Sequence, residues 1–233
     1  MSKNICNCFS QRFHKHGSLS KIHSEKQDNQ CQSWQRLLDL IEIAACEGSE
    51  EFAPLRQFTF EERSKIITLP PTIAKLKAVK HLVLYGSFLV RIPPEIGEME
   101  SLEEFTSYTS RFLHWFPYEI TRCKKLKMST VSTRSIYGNY KYRPPFPYLK
   151  RDVNSEAYPL ITPRECSVCR TKLDQSKAIR CWISLLVATD VLPLLVNACS
   201  MNCIESLPKT PKGYVSGSHT GGHHIKQPQP TGM

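Results

Sequence analysis

The 233-residue sequence has no uninterrupted apolar run long enough to cross a membrane. Its longest such stretch, Cys181 to Ala198, is broken by Asp190 and Pro193, and an aspartate at mid-span costs roughly 2.5–3.5 kcal/mol on insertion. The first thirty residues also lack an apolar run and are polar and basic, so no secretory signal is read there. The expected setting is cytoplasmic, with no membrane partner. A glycine-rich phosphate loop, a paired-histidine metal motif and a nucleophile elbow are likewise missing. The chain therefore reads as non-enzymatic, and no catalytic residue is nominated.

Cysteine is not scarce. The ten are Cys6, Cys8, Cys31, Cys46, Cys123, Cys166, Cys169, Cys181, Cys199 and Cys203. Without an export signal they are expected to stay thiols or bind metal rather than build a disulfide framework. Cys46, ending an apolar helical pattern, and Cys123, on an apolar stripe, are expected to be buried small hydrophobes. The sharpest chemical signal is two close pairs, Cys166-Ser167-Val168-Cys169 and Cys199-Ser200-Met201-Asn202-Cys203. Four thiolates suit a closed tetrahedral zinc site with Zn–S bonds near ~2.3 Å, and the lack of an open position for water makes such a site structural.

Between the pairs, the apolar runs Cys181 to Val187 and Val191 to Val196 flank Ala188-Thr189-Asp190, which predicts a hairpin. Ile204 to Leu207 follow the second pair before Pro208. This predicts a helix with Cys199 and Cys203 on its first turn, an i,i+4 step that aligns both sulfurs. Knuckle, hairpin and helix together resemble a treble-clef zinc finger, and the Cys-Ser-x-x-Cys form of the second pair looks like that of TRASH and MYM-type fingers. The alternative is four reduced thiols without metal. Cys181 reads as a core thiol on a strand, or else as a substitute ligand.

Residues 66–136 hold one pattern three times. Leu69-Pro70, Ile92-Pro93 and Phe116-Pro117 open copies at intervals of 23 and 24 residues, the period of a leucine-rich repeat with one strand and one short turn per copy. Apolar residues recur at fixed offsets: Leu69, Ile73, Leu76, Val79, Leu82, Leu84 and Leu89; Ile92, Ile96, Met99, Leu102, Phe105 and Phe112; Phe116, Ile120, Cys123, Leu126, Val131 and Ile136. Ser107 and Ser129 stand at strand positions where leucine is expected, and Ser87, Ser110 and Arg134 replace the usual closing asparagine. The serines can still bond nearby backbone, whereas the Arg134 copy is expected to be irregular. Because no copy can bury its apolar face alone, the copies must stack. With a period of two, three rows point outward. They are His81, Glu104 and Met128; Val83, Thr106 and Thr130; Tyr85, Tyr108 and Ser132. Exposed tyrosines bring large contact area at small entropy cost, so the rows are either an anchor for a protein partner or a plain cover for the sheet.

Residues 1–32 read as a disordered tail, in which Cys6, Cys8, His14 and His16 offer at most loose metal affinity. Residues 33–65 form a helical N-terminal cap. Trp34, Leu37, Leu38, Ile41, Ala44 and Ala45 share one face, Ser33 is the expected N-cap, Gly48 the stop, and Thr59-Phe60-Glu61-Glu62 a capping box. Residues 137–165 interleave Tyr137, Tyr140, Tyr142, Phe146 and Tyr148 with Lys141, Arg143, Lys150 and Arg151. That mixture can bind nucleic acid by stacking and charge, but Pro144, Pro145 and Pro147 favour an extended segment that packs its aromatics. The module 166–208 is followed by a Gly/Pro/His-rich tail, 209–233, whose His219, His223 and His224 are read as mobile or draped. The net charge of +10 is uneven, with residues 34–64 acidic and 116–165 basic.

The blocks LPPTIAKL, SFLVRIPPEIG, HWFPYEI, YGNYKYRPPFP and LPLLVNACS, within residues 34–230, resemble a group of short cytoplasmic bacterial leucine-rich-repeat proteins without an established activity. The repeat wording is also similar to the Ras-binding type, which implies protein binding by fold-level analogy. The expected architecture is α/β, a short leucine-rich-repeat solenoid with a helical cap followed by a small treble-clef-like zinc module. The expected function is an interaction scaffold presenting His81, Val83, Tyr85, Glu104, Thr106, Tyr108, Met128 and Thr130. The alternative is a nucleic-acid-binding protein using the zinc module and residues 124–151. A thiol enzyme resembling repeat-bearing ubiquitin-ligase effectors would need a larger domain than residues 137–233, which follow the repeats.

Overall fold

The computed structural model describes residues 19–139, 144–149 and 161–228. Cys6, Cys8, His14, His16, Tyr140, Lys141, Tyr142, Arg143, Lys150 and Arg151 lie outside them. The fold is mixed α/β and divides into two units. One comprises Glu25–Ser132 with Leu186–Leu192, and the other Met1–Ser24, Thr133–Leu185 and Pro193–Met233.

The first unit opens with helix α1, Gln32–Glu47. Trp34, Leu37, Ile41 and Ala44 are buried along one stripe, as a 3.6-residue period requires, and Leu38 and Ala45 lie half-buried at its margin. The N-cap is Cys31 rather than Ser33, which is buried within the first turn. Gly48 ends the helix with φ 64°, its N–H directed to Ala44 and Ala45 carbonyls. Cys46 is exposed, not buried, because two steps past Ala44 turn it about 200° around the helix, away from the stripe. Helix α2, Phe60–Ser64, starts with the full capping box of Thr59 and Glu62.

Each copy then supplies one 3-10 turn and one strand of a parallel sheet. The turns are Pro71–Lys75, Pro94–Glu98 and Tyr118–Arg122, with Ile73, Ile96 and Ile120 buried beneath them. The strands are β2 (His81–Val83), β3 (Glu104–Thr106) and β5 (Met128–Thr130), with β4 (Phe116–Pro117) opening the third copy. A two-residue strand, β1 (Glu51–Phe52), precedes them and is too short to show a period in the sequence. The order β1-β2-β3-β5 is parallel throughout. Leu82 registers with Phe105 and Phe105 with Ser129, so the inward positions stack in one column. Leu69, Ile73, Leu76, Leu82, Leu84, Ile92, Ile96, Met99, Leu102, Phe105, Phe116 and Ile120 are essentially fully buried, each worth roughly 1.5–3 kcal/mol against exposure. Phe112 and Leu126 are only half-buried. Ser87 and Ser110 substitute for the closing asparagine by bonding each other at 2.7 Å, with Ser110 donating to Leu84 O at 3.0 Å.

The second unit holds most of β6 (Ile179–Val187) and β7 (Asp190–Ala198), hydrogen-bonded neighbours joined at Ala188-Thr189, and a short helix α3 (Met201–Glu205), while the hairpin tip Leu186–Leu192 belongs to the first unit. Trp182 is fully buried, donates from Nε1 to Pro147 O at 2.9 Å and lies 5.7 Å from the Phe146 ring and 5.9 Å from Tyr137. Phe146 and Tyr137 are thus core residues of this unit. Of the two readings of the tail, residues 209–228 take the draped one. Trp182 and His219 exchange backbone bonds of 2.7 and 3.0 Å, and Leu149 N donates to Thr220 O at 2.8 Å.

Candidate metal centre and binding face

The first cysteine pair sits on a tight turn. Cys166 N donates to Thr171 O at 2.8 Å and Arg170 N to Cys166 O at 3.1 Å, with Arg170 left-handed at φ 62°. Ser167 ties this turn to β7: Ser167 N donates to Asn197 O at 2.8 Å and Asn197 N to the Ser167 hydroxyl at 3.0 Å. The second pair straddles the start of α3. Cys203 is on its first turn, but Cys199 precedes the N-cap Ser200, whose hydroxyl accepts from Cys203 N. The extended N-cap backbone, rather than an i,i+4 helical step, therefore sets Cys199, and it brings Cys199 N to Cys166 Sγ at 3.4 Å.

All four sulfurs lie within 4.8 Å of one another, an arrangement that can hold a metal ion. Cys169 and Cys199 sulfurs are 3.5 Å apart and those of Cys199 and Cys203 3.7 Å. These are free thiols, well beyond the ~2.0 Å of a disulfide. A tetrahedron with ~2.3 Å metal–sulfur bonds has sulfur–sulfur edges of about 3.8 Å, so the donor set fits one zinc-sized ion with all four positions filled by protein. Cys166 and Cys203 are buried, whereas Cys169 and Cys199 face solvent.

Protonation follows from the crowding. Hydrogen bonds from Thr171, side chain then backbone, and from Cys199 pull Cys169 down to about 6. Cys203 goes the other way: the Ser200 hydrogen bond favours its thiolate, but burial and the three neighbouring sulfurs push it up to about 12. A cluster that must accumulate negative charge on adjacent sulfurs is one that a cation completes. Thr171 is a member of the cluster that no ligand spacing points to. Its hydroxyl lies 3.1 Å from Cys169 Sγ and 3.6 Å from Cys199 Sγ, and its only signal in the sequence is a hydroxyl two residues past Cys169. Cys181 stands apart, buried in β6 with its thiol pushed up to about 12 by burial.

On the parallel sheet the outward rows align as the period requires, with His81 beside Glu104 and Glu104 beside Met128, and Val83 beside Thr106 and Thr106 beside Thr130. Tyr85 and Tyr108 are 53% and 48% exposed, their ring centroids 6.2 Å apart. Met128 and Thr130 are exposed as well. His81 is half-buried between Glu51 (3.5 Å) and Glu104 (3.8 Å), with Nε2 3.2 Å from the Thr106 hydroxyl. Val83 departs from the expectation: it is buried, hemmed by larger neighbours in the rows on either side. It lines the floor of a groove of about 320 Å³ together with Leu55, Arg56, Arg63, His81, Tyr85 and Thr106. Leu55, Arg56 and Arg63 come from the segment before the first copy, where no repeat offset points to them.

In the basic-aromatic stretch, Tyr137 and Phe146 are buried, and among its described aromatics only Tyr148 is exposed. No helix among the described residues is long and apolar enough to cross a membrane. No protein-family model matches the sequence, and no curated protein is significantly similar to it.

Proposed function

We propose that the chain is a non-enzymatic, cytoplasmic protein-binding scaffold of the leucine-rich-repeat type, related to the short bacterial repeat proteins it resembles. Its second unit is a treble-clef-like module in which Cys166, Cys169, Cys199 and Cys203 hold a structural zinc ion. The observation that carries the binding reading is the pair Tyr85 and Tyr108, neighbouring exposed rings beside the groove over Val83. Both rings stand on the turns that follow β2 and β3, where Gly86 N donates to Tyr108 O at 3.0 Å. Rings on backbone fixed in this way lose little freedom on contact, and tyrosine with arginine is the composition of interface anchors. The support for the repeat reading is one turn and one strand per copy, in unbroken register over three copies. The support for zinc is four sulfurs spaced as the edges of a metal–thiolate tetrahedron.

The nucleic-acid alternative retains the lysines from Lys124 onward but loses Tyr137 and Phe146, whose rings are spent on packing Trp182. A double Tyr85→Ala, Tyr108→Ala variant tests the leading reading. A protein partner retained by wild type should be lost from the variant at unchanged thermal midpoint; equal retention by both removes this face. Metal analysis of protein purified without a histidine tag should find one zinc per chain in wild type and none in Cys199→Ser. A folded wild type without metal overturns the zinc reading.

A further inference from the structure

The four cysteines are not equivalent, and their difference has a chemical consequence. Cys166 and Cys203 are buried, and the Cys166 sulfur already accepts the Cys199 N–H. Cys169 and Cys199 are exposed on one edge of the cluster, and their sulfurs are 3.5 Å apart. Neither belongs to a ladder or a helix: Cys169 ends a turn, and Cys199 lies in the bend between β7 and α3. Their side chains can therefore move the roughly 1.5 Å that separates this spacing from a disulfide bond. The Thr171 hydroxyl reaches both sulfurs, at 3.1 Å and 3.6 Å, so it marks them as one local pair.

We infer that Cys169 and Cys199 are a hydroperoxide-oxidisable pair, a modification site whose closure to a disulfide withdraws two of the four ligands and empties the metal centre. The inference rests on the zinc reading above. Written for Cys169, its thiolate attacks the peroxide, a sulfur–oxygen bond forms and the oxygen–oxygen bond breaks. The departing hydroxide takes a proton and leaves as water. The Cys199 thiolate then attacks the sulfenic sulfur, forming the sulfur–sulfur bond and expelling the second oxygen, which leaves as water with a proton from solvent. Two thiolates are oxidised by two electrons, and one peroxide is reduced to two waters. Two buried thiolates alone leave a zinc ion with half its coordination, which is not a closed structural site. The pairing is selective because the buried sulfurs are shielded from the oxidant. Cys46 is exposed, but Cys31 at the other end of α1 lies about 22 Å away along the helix, too far for the two to close a disulfide.

The test treats the zinc-loaded full chain with hydrogen peroxide, follows metal with a chromophoric chelator and maps cysteine linkages by mass spectrometry. Oxidation at Cys46 serves as the internal measure of exposure to peroxide. The expected result is loss of one zinc per chain, a Cys169–Cys199 crosslink with loss of two hydrogens, and recovery of both thiols and metal on adding dithiothreitol and zinc. Retained zinc while Cys46 is oxidised overturns the inference and leaves the zinc reading intact, as does metal loss through any other cysteine pair. Protein that carries no zinc before treatment overturns the zinc reading itself, and the inference with it.

Discussion

The Thr189 hydroxyl serves both backbone groups of Ser129. It accepts from Ser129 N at 3.1 Å and donates to Ser129 O at 2.9 Å. Ser129 sits on β5, the last strand of the parallel sheet, where unpaired N–H and C=O groups are a liability. The Ser129 hydroxyl in turn donates to the Asp190 carboxylate at 2.7 Å. A serine at an inward repeat position is thus explained by a polar closure that leucine would not make.

Thr189→Val keeps the shape and removes the hydroxyl, leaving both Ser129 backbone groups without that partner. An unsatisfied buried group costs about 1–3 kcal/mol, so chemical denaturation should show a loss in that range. A change below about 0.5 kcal/mol would mean that solvent serves this edge equally well.

Two glycines should respond oppositely to the same pair of substitutions. Gly48 has φ 64°, and a Cβ placed there would meet only open space, so Gly48→Ala should cost roughly 1–2 kcal/mol through backbone strain alone. Gly48→Asn should recover much of it, since asparagine tolerates the left-handed region. At Gly97 a Cβ would lie 2.5 Å from Glu119 O and 3.0 Å from Glu119 Cβ. Gly97→Ala should therefore cost roughly 1–3 kcal/mol through overpacking, and Gly97→Asn more. Thermal midpoints of the four variants decide it; recovery by asparagine at Gly97 would contradict the steric account.

Burial, with His224 as a lesser cause, pushes His219 down from 6.5 to about 4. Its Nδ1 accepts from Gly221 N at 3.1 Å and its ring packs edge-on 4.6 Å from Phe146, both suited to neutral imidazole. Above pH 6.5 neither folded nor unfolded chain protonates it, and its contribution is intact. As pH falls from 6.5 toward 4 only the unfolded chain gains the proton, and stability is lost. Between pH 7.5 and 5.5 the loss should be about 1.4 kcal/mol, a factor of ten. Denaturation at both values, with zinc saturating, should show that loss in wild type and not in His219→Gln. Equal pH dependence in the two proteins would refute it.

Local pattern determined much of this molecule. A 23- to 24-residue spacing of Leu-Pro, Ile-Pro and Phe-Pro specified where each turn and strand lies, because a chain that must bury one apolar stripe per copy has few ways to do so. The α2 capping box, the Gly48 stop and the close cysteine pairs were legible for the same reason: each is chemistry between residues a few positions apart. Long-range packing decided the rest. β1 is two residues long and exists because β2 pairs with it. Arg56 and Arg63 reach the groove from outside the repeats and line it together with the buried Val83. Trp182 draws Phe146, Tyr137 and His219 into one core from segments distant in sequence. Only the fold separates Cys169 and Cys199 from Cys166 and Cys203, since exposure is set by what packs over a sulfur and not by its spacing along the chain.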